Sequence, residues 1–127
     1  MPSSRYFQID WVLVDELAIG PAPRAERHIH RLKEAGIQSV LSLCSKLEAM
    51  PPDGLDDVFH TTRFVLPDHR AGRLPTPAEL DTALNHLGAL QQHGAVFVHC
   101  VAAMERSPLI CLAWLVRRHR MSPEKAL

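Results

Sequence analysis

Residues 96–108 read Val-Phe-Val-His-Cys-Val-Ala-Ala-Met-Glu-Arg-Ser-Pro and decide the fold expected for this chain. An apolar run typical of a β-strand ends at Cys100, five residues follow, and Arg106 and Ser107 then open an amphipathic segment typical of a helix. A loop between a strand and a helix directs several backbone N–H groups to one point, and the helix N-terminus adds partial positive charge there. The spacing therefore predicts an anion-binding loop that begins with a cysteine.

Cys100 and Arg106 have complementary chemistry in such a loop. A free thiol has a pKa of about 8.5, and a helix N-terminus lowers that pKa and favours the nucleophilic thiolate. The planar guanidinium of Arg106 can bind two phosphate oxygens at once. We therefore predict that Cys100 attacks phosphorus while Arg106 binds the phosphate. In the alternative interpretation Cys100 is a small buried apolar side chain, which leaves His99, Arg106 and Ser107 unexplained.

The pattern His99-Cys100, five residues, Arg106-Ser107 resembles the active-site motif of the protein tyrosine phosphatase superfamily. Across residues 9–126 the chain resembles the small dual-specificity branch of this superfamily, through Leu17-Ala18-Ile19-Gly20, residues 36–43 and Leu66-Pro67-Asp68. The resemblance implies an α/β fold with a central, mostly parallel sheet flanked by helices. It also implies one phosphatase domain that spans residues 1–127.

The resemblance implies a role for each residue of the motif. Cys100 is the nucleophile that forms a phosphocysteine intermediate, and Arg106 stabilises the transition state. Ser107 donates a hydrogen bond to the sulfur as it leaves, whereas His99 orders the loop and lowers the cysteine pKa. Phosphate oxygens are held by the backbone N–H groups of Val101, Ala102, Ala103, Met104, Glu105 and Arg106.

The leaving group needs a proton from an acid on a neighbouring loop, and Asp68 is the candidate. Asp68 follows a predicted strand and precedes Cys100 in an order and at a separation that resemble the dual-specificity pattern. Arg70 and Arg73 of the same loop are either contacts for acidic substrate flanks or solvated charges. Three competing acids cluster in a predicted solvated turn: Asp53, Asp56 and Asp57.

Two residues depart from the family pattern and leave alternatives open. Ala103 stands where glycine is usual, which costs on the order of 1 kcal/mol if the position needs a positive φ. Glu105 places an acid in an anion-binding loop, so its carboxylate is expected to point away from the phosphate. Ala103 and the short C-terminus motivate a catalytically weak pseudophosphatase that binds phosphorylated partners. The pair Glu105-Arg106 motivates a rhodanese-like cysteine phosphatase.

The composition indicates a globular single-domain protein and argues against nucleic acid or a membrane as its partner. With 127 residues, 46% hydrophobic content and zero formal net charge, the chain suits one domain without a basic field for nucleic acid or membrane. No apolar run approaches the ~20 residues of a transmembrane helix, and no signal-peptide pattern is present. The spacing of the three cysteines argues against a disulfide framework or a zinc site. We expect a monomeric, cytoplasmic protein without metal or other cofactor.

The loop composition favours a phosphorylated protein or peptide as the substrate. Residues 101–105 contain no lysine, which disfavours multiply phosphorylated lipids and, less strongly, RNA ends. An apolar rim suits phosphotyrosine, with phosphoserine or phosphothreonine as further substrates. Cys44 and Cys111 are expected to pack in the core, the alternative being a protective disulfide with Cys100 under oxidation.

Alternating patterns predict strands and helices in turn. The predicted elements are a strand pair within 11–19, a helix over 25–35, a strand over 37–43, a weak helical turn over 46–50, a strand over 59–66, a helix from a Thr76 cap to Gly94, a strand over 96–98 and a helix over 109–119. A further helix start at residues 121–124 has no continuation, so the C-terminal helix is expected to be shortened or truncated.

Overall fold

Strands and helices alternate in the computed structural model of this chain, which describes residues 7–101 and 105–118. The elements are β1 (Asp10–Leu13), β2 (Leu17–Gly20), α1 (Glu26–Glu34), β3 (Ile37–Ser42), α2 (Leu55–Val58), β4 (His60–Arg63), α3 (Pro77–Gln91), β5 (Ala95–His99) and α4 (Arg106–Arg118). Five strands form one sheet in the order β1-β2-β5-β3-β4. Only β1 and β2 pair in the antiparallel direction, so the predicted mostly parallel α/β sheet is confirmed.

The parallel strands bring four loops to one edge of the sheet. In the centre, β5 pairs with β2 on one side and with β3 on the other, so that His99 lies opposite both Gly20 and Ser42. Because β4 runs parallel to β3, the segment after Arg63 starts at the same edge. Ligand sites of parallel sheets form at this carboxyl edge.

Alternating side chains of the strands build a core on each face of the sheet. Val96 and Val98 of β5 are fully buried with residues of α3 and α4, whereas Phe97 packs on the opposite face with Ile29 and Leu32 of α1. This alternation is the period of two that a β-strand imposes. The sheet is therefore covered by helices on both faces, and its carboxyl edge carries the loops.

Several element boundaries differ from the sequence prediction. The strand predicted over 59–66 is only His60–Arg63, although Phe64 N and Leu66 N still donate to Ser42 O (2.9 Å) and Leu43 O (3.1 Å). Asp56 and Asp57 are exposed, as the prediction of a solvated turn requires, but they lie in the four-residue helix α2 rather than in a turn. Helix α4 begins at Arg106 rather than at Leu109, so Arg106 and Ser107 of the motif form its first turn.

The predicted start of α3 is confirmed. Thr76 caps the helix by accepting a hydrogen bond from Glu79 N at 3.1 Å, while the Glu79 carboxylate accepts from Thr76 N at 2.8 Å. This reciprocal pair satisfies two backbone donors that a helix leaves unpaired at its first turn. Among the helices of residues 7–101 and 105–118, none has both the length and the apolarity needed to cross a membrane.

Candidate active site

Cys100 directly follows β5 and lies at the carboxyl edge of the sheet with only 3% of its surface exposed. Val101 continues the chain, and its carbonyl accepts a hydrogen bond from Ala22 N at 3.1 Å. The loop after β2 thereby supports the start of the predicted anion-binding loop. Ala102, Ala103 and Met104 lie outside the described residues, so the roles of their N–H groups and the effect of Ala103 stay predictions.

His99 connects the base of this loop to the neighbouring strand β3. Its Nδ1 lies 3.0 Å from Cys100 O, and its Nε2 lies 2.7 Å from Ser42 Oγ. Because a carbonyl only accepts, Nδ1 carries the proton and the Ser42 hydroxyl donates to Nε2. Burial lowers the pKa of His99 to about 4. The imidazole is therefore neutral near pH 7, and it orders the chain at Cys100 by hydrogen bonding rather than by charge.

Arg106 is buried at the first turn of α4, with 4% of its surface exposed. Its Nη1 donates to Leu43 O and to Leu66 O, both at 3.2 Å. Those carbonyls belong to the segments that follow β3 and β4, so two neighbouring loops hold the guanidinium in place. Nε–H is a donor that these bonds do not use.

Glu48 is a residue of the candidate site that the sequence interpretation missed. Its Oε1 accepts a hydrogen bond from Arg106 Nη2 at 2.9 Å, and its Oε2 lies 3.3 Å from Arg106 Nη1. The hydrogen bond from Arg106 is the main reason that the pKa of Glu48 lies below its ordinary value. A local signal was present, since Ser45 and Glu48 have the spacing of a capping box. Ser45 N donates to Glu48 Oε2 at 2.8 Å, and Glu48 N donates to Ser45 Oγ at 3.2 Å.

Asp68 reaches the same cluster from the loop after β4. Its Oδ2 lies 3.9 Å from Arg106 Nη2, so the predicted acid is next to the predicted phosphate-binding guanidinium. The carboxylate accepts hydrogen bonds from Arg70 N at 3.0 Å and from Arg70 Nε at 2.9 Å. Hydrogen bonding to the Arg70 side chain lowers the pKa of Asp68, which is therefore charged at neutral pH. Of the competing acids, Asp56 instead accepts a hydrogen bond from Thr61 Oγ1.

The remaining predicted site residues differ in their surroundings. Ser107 is fully buried, and its Oγ has no hydrogen-bond partner among the described residues, which include Cys100. The hydrogen bond to the sulfur is therefore not formed in this structure, and the role of Ser107 during turnover stays a prediction. Glu105 is exposed. Arg73 donates to both carboxylate oxygens of Glu79, at 2.7 and 2.9 Å, and so supports the start of α3. Arg70 contacts Asp68 and also Glu48, at 2.7 Å.

Two further arginines lie near His99 in segments outside the motif. Arg24, in the loop after β2, and Arg63, at the end of β4, both contribute to lowering the pKa of His99. Arg63 Nη1 donates to the carbonyl of Cys44. Positive charge near the loop therefore comes from neighbouring loops as well as from Arg106, although residues 101–105 contain no lysine.

Cys44 and Cys111 are buried, as predicted for packing residues. Burial raises the pKa of both thiols, that of Cys111 to about 12, so neither side chain is an activated nucleophile. None of the three cysteines, all of which are described, forms a disulfide. Within the described ranges, no group of three or more His, Cys, Asp or Glu side chains is placed to hold a metal ion.

No family model matches the chain. Phosphatidylglycerophosphate phosphatase PTPMT2 of Arabidopsis thaliana is 26% identical over 114 residues, which are 88% of this chain and 50% of that protein. Dual specificity protein phosphatase 2 of Mus musculus is 29% identical over 96 residues, which are 75% of this chain and 28% of that protein. The chain therefore spans half or less of the length of these relatives.

Among solved structures, the active form of Tk-PTP superposes with a TM-score of 0.77 at 20% identity, over 94% of this chain and 79% of the other. At that identity the match shows the fold, which is that of the dual-specificity-like phosphatases. The resemblance to the dual-specificity and protein tyrosine phosphatase superfamily is confirmed by these relatives and this neighbour together. The matches favour the dual-specificity branch over the rhodanese-like alternative.

Proposed function

We propose that this chain, which resembles the small dual-specificity branch of the protein tyrosine phosphatase superfamily, hydrolyses phosphomonoesters through a phosphocysteine intermediate on Cys100. One observation carries the proposal: Arg106 is buried at the first turn of α4, at the sheet edge where Cys100 lies, with Asp68 Oδ2 3.9 Å from its Nη2. The predicted nucleophile and phosphate-binding cation, at the two ends of the loop between β5 and α4, thus share this edge with the predicted acid, which comes from the loop after β4.

The first step transfers the phosphoryl group to sulfur. The Cys100 thiolate attacks phosphorus, a P–S bond forms, and the bond between phosphorus and the leaving oxygen breaks. Arg106 and the backbone N–H groups of the loop stabilise the charge on the equatorial oxygens. Protonated Asp68 gives its proton to the leaving oxygen, so this carboxyl has to take up a proton before the step.

The second step releases phosphate. Asp68, now a carboxylate, takes a proton from a water molecule that attacks phosphorus, and the P–S bond breaks to regenerate the thiolate. The buried Ser107 hydroxyl, which has no partner among the described residues, donates a hydrogen bond to the departing sulfur. A buried hydroxyl without a partner costs about 1–3 kcal/mol, and a hydrogen bond to the departing sulfur would satisfy it.

A phosphorylated protein is the substrate that the loop composition favours, and the cytoplasm is the location that we propose with it. A phospholipid is a second candidate, because the relative that matches 88% of the chain is named for phosphatidylglycerophosphate. Arg24 and Arg63 add positive charge beside the loop, which suits an anionic headgroup. Turnover of a phosphotyrosine peptide and of phosphatidylglycerophosphate in detergent micelles, measured side by side, distinguishes the two candidates.

Hydrolysis of an aryl phosphate in the presence of a chelator tests the proposed chemistry. Native protein is expected to release phosphate, and Cys100→Ser is expected to abolish the release. Cys111→Ser is the matched control, since it replaces another buried cysteine outside the site and is expected to retain turnover. Folded native protein that binds phosphopeptide without turnover would instead establish the pseudophosphatase alternative.

A further inference from the structure

Arg70 occupies both oxygens of the predicted general acid. Its backbone N–H donates to Asp68 Oδ1 at 3.0 Å, while its Nε and Nη2 lie 2.9 and 2.7 Å from Asp68 Oδ2. A carboxyl group that donates a proton needs one oxygen that carries hydrogen. While the guanidinium donates to Oδ2, that oxygen acts only as an acceptor.

The same guanidinium joins the acid loop to the phosphate-binding cluster. Arg70 Nη2 lies 2.7 Å from Glu48 Oε1, the oxygen that also accepts from Arg106 Nη2 at 2.9 Å. Two arginines and two carboxylates thus alternate in one ion-pair network. Arg70 therefore affects the protonation of Asp68 through direct hydrogen bonds, whereas Arg106 lies 3.9 Å from the same carboxylate.

The two arginines of this network differ in how firmly they are held. The Arg106 side chain is 5% exposed and donates to two backbone carbonyls, whereas the Arg70 side chain is 63% exposed. The Arg70 guanidinium donates to carboxylates on two separate loops, those of Asp68 and Glu48. An exposed side chain in contacts of this kind exchanges with water readily, since such pairs contribute little free energy.

We propose that Arg70 is a positioning residue that holds Asp68 in its charged form between turnovers and has to release the carboxyl before each acid step. This inference rests on the proposed function, in which Asp68 protonates the leaving group. The charged groups that face Asp68 are Arg70 from its own loop and Arg106 from α4, with Glu48 beyond Arg70 from the turn after β3. Both arginines favour the carboxylate, and Arg70 makes the closer contact.

The sign of the effect follows from that contact. Because Arg70 favours the charged form, its removal raises the pKa of Asp68 toward the ordinary value and increases the protonated fraction at any pH above it. The alkaline limb of the kcat/KM profile then moves to higher pH. Only substrates with poor leaving groups respond, since a good leaving group departs without a proton.

Arg70→Gln is the test variant and Arg73→Gln is the matched control, because Arg73 is in the same loop and pairs with Glu79 instead of Asp68. For phenyl phosphate, Arg70→Gln is expected to shift the alkaline limb upward and to raise kcat/KM near pH 7 by roughly two- to fivefold. For an aryl phosphate with a low-pKa leaving group, and in the Asp68→Asn background, the same substitution is expected to change nothing. An equal loss for both substrates without a limb shift would show a structural role only and overturn the proposal.

Titration of the Asp68 carboxyl carbon by NMR separates this inference from the proposed function. The midpoint is expected to rise in Arg70→Gln and to stay at the native value in Arg73→Gln. An unchanged midpoint in Arg70→Gln overturns the inference, whatever the turnover. A raised midpoint in a chain that hydrolyses no phosphomonoester supports the restraint on Asp68 and refutes the proposed function.

Discussion

Glu48 makes the burial of Arg106 compatible with a stable fold. Taking a guanidinium out of water costs several kcal/mol unless a counter-charge and further hydrogen bonds compensate. Arg106 has both, because Glu48 supplies the charge while Leu43 O and Leu66 O accept from Nη1. The side chain that is predicted to bind phosphate is thus oriented before a substrate arrives.

Glu48→Gln keeps the shape of this contact and removes its charge. We expect kcat/KM to fall by about tenfold to a hundredfold, since a guanidinium that is no longer fixed meets the phosphate in the wrong geometry. Steady-state kinetics measure the loss. Glu34→Gln, at an exposed position of α1, is expected to leave kcat/KM unchanged. Native kinetics in a folded Glu48→Gln protein would contradict the positioning role.

His99 links the stability of the fold to pH. Its pKa is about 4 in the folded chain and about 6.5 in the unfolded chain, so only the unfolded chain binds the proton between these values. Its contribution is fully present above pH 6.5 and is lost as the pH falls toward 4, by up to about 3 kcal/mol. Urea unfolding from pH 7.5 to 4.5 measures the slope. His99→Gln is expected to flatten it, and equal slopes would contradict a buried neutral imidazole.

At the scale of elements, the packing at the end of β2 requires glycine at position 20. A Cβ on Gly20 would lie 2.1 Å from Gln8 O and 2.8 Å from the ring of Phe97. Backbone and core therefore meet too closely for any other residue. The loop that reaches Val101 begins directly after this close approach.

Gly20→Ala and Gly88→Ala are expected to change stability in opposite directions. At Gly20 the added methyl group forces the backbone apart and costs about 1–3 kcal/mol of unfolding free energy. Gly88, inside α3, has ordinary space, because its Cβ would lie 3.8 Å from Trp114. Alanine there is expected to add about 0.5–1 kcal/mol, because glycine is a poor helix former. Denaturant unfolding midpoints of the two variants and the native chain measure these changes. A Gly20→Ala variant more stable than the native chain would contradict the close approach at Gly20.

At the scale of the whole molecule, the candidate site depends on four strand ends that meet at one edge. An oxyanion that binds there binds the folded chain and not the unfolded one, so we expect it to stabilise the folded chain by mass action. Tungstate at one hundred times its Kd is expected to add about 2.7 kcal/mol of unfolding free energy.

Thermal unfolding with and without tungstate measures this effect. Arg106→Lys is expected to reduce the gain, since lysine does not reproduce the bidentate guanidinium. Arg117→Lys is the control, because Arg117 pairs with Asp81 of α3. A gain of equal size in Arg106→Lys would place the oxyanion away from the predicted loop.

Sequence alone determined the features that depend on near neighbours along the chain. Alternating apolar residues predict strands, Thr76 and Glu79 predict the start of α3, and the spacing from Cys100 to Arg106 predicts a strand, a loop and a helix. These features are local because hydrogen bonding within a turn and the period of a strand act over a few residues. The mostly parallel sheet followed from their order.

Only the tertiary structure decided which distant charges meet. Glu48 and Arg106 are 58 positions apart, and their contact arises because β3 and β5 are neighbours in the sheet. The pairing of Arg70 with Asp68 is local, but its link to Glu48 depends on the arrangement of the loops after β3 and β4. Electrostatic contacts act through space, so the pKa of Glu48 is lowered mainly by the distant Arg106, whereas that of Asp68 is lowered mainly by the neighbouring Arg70.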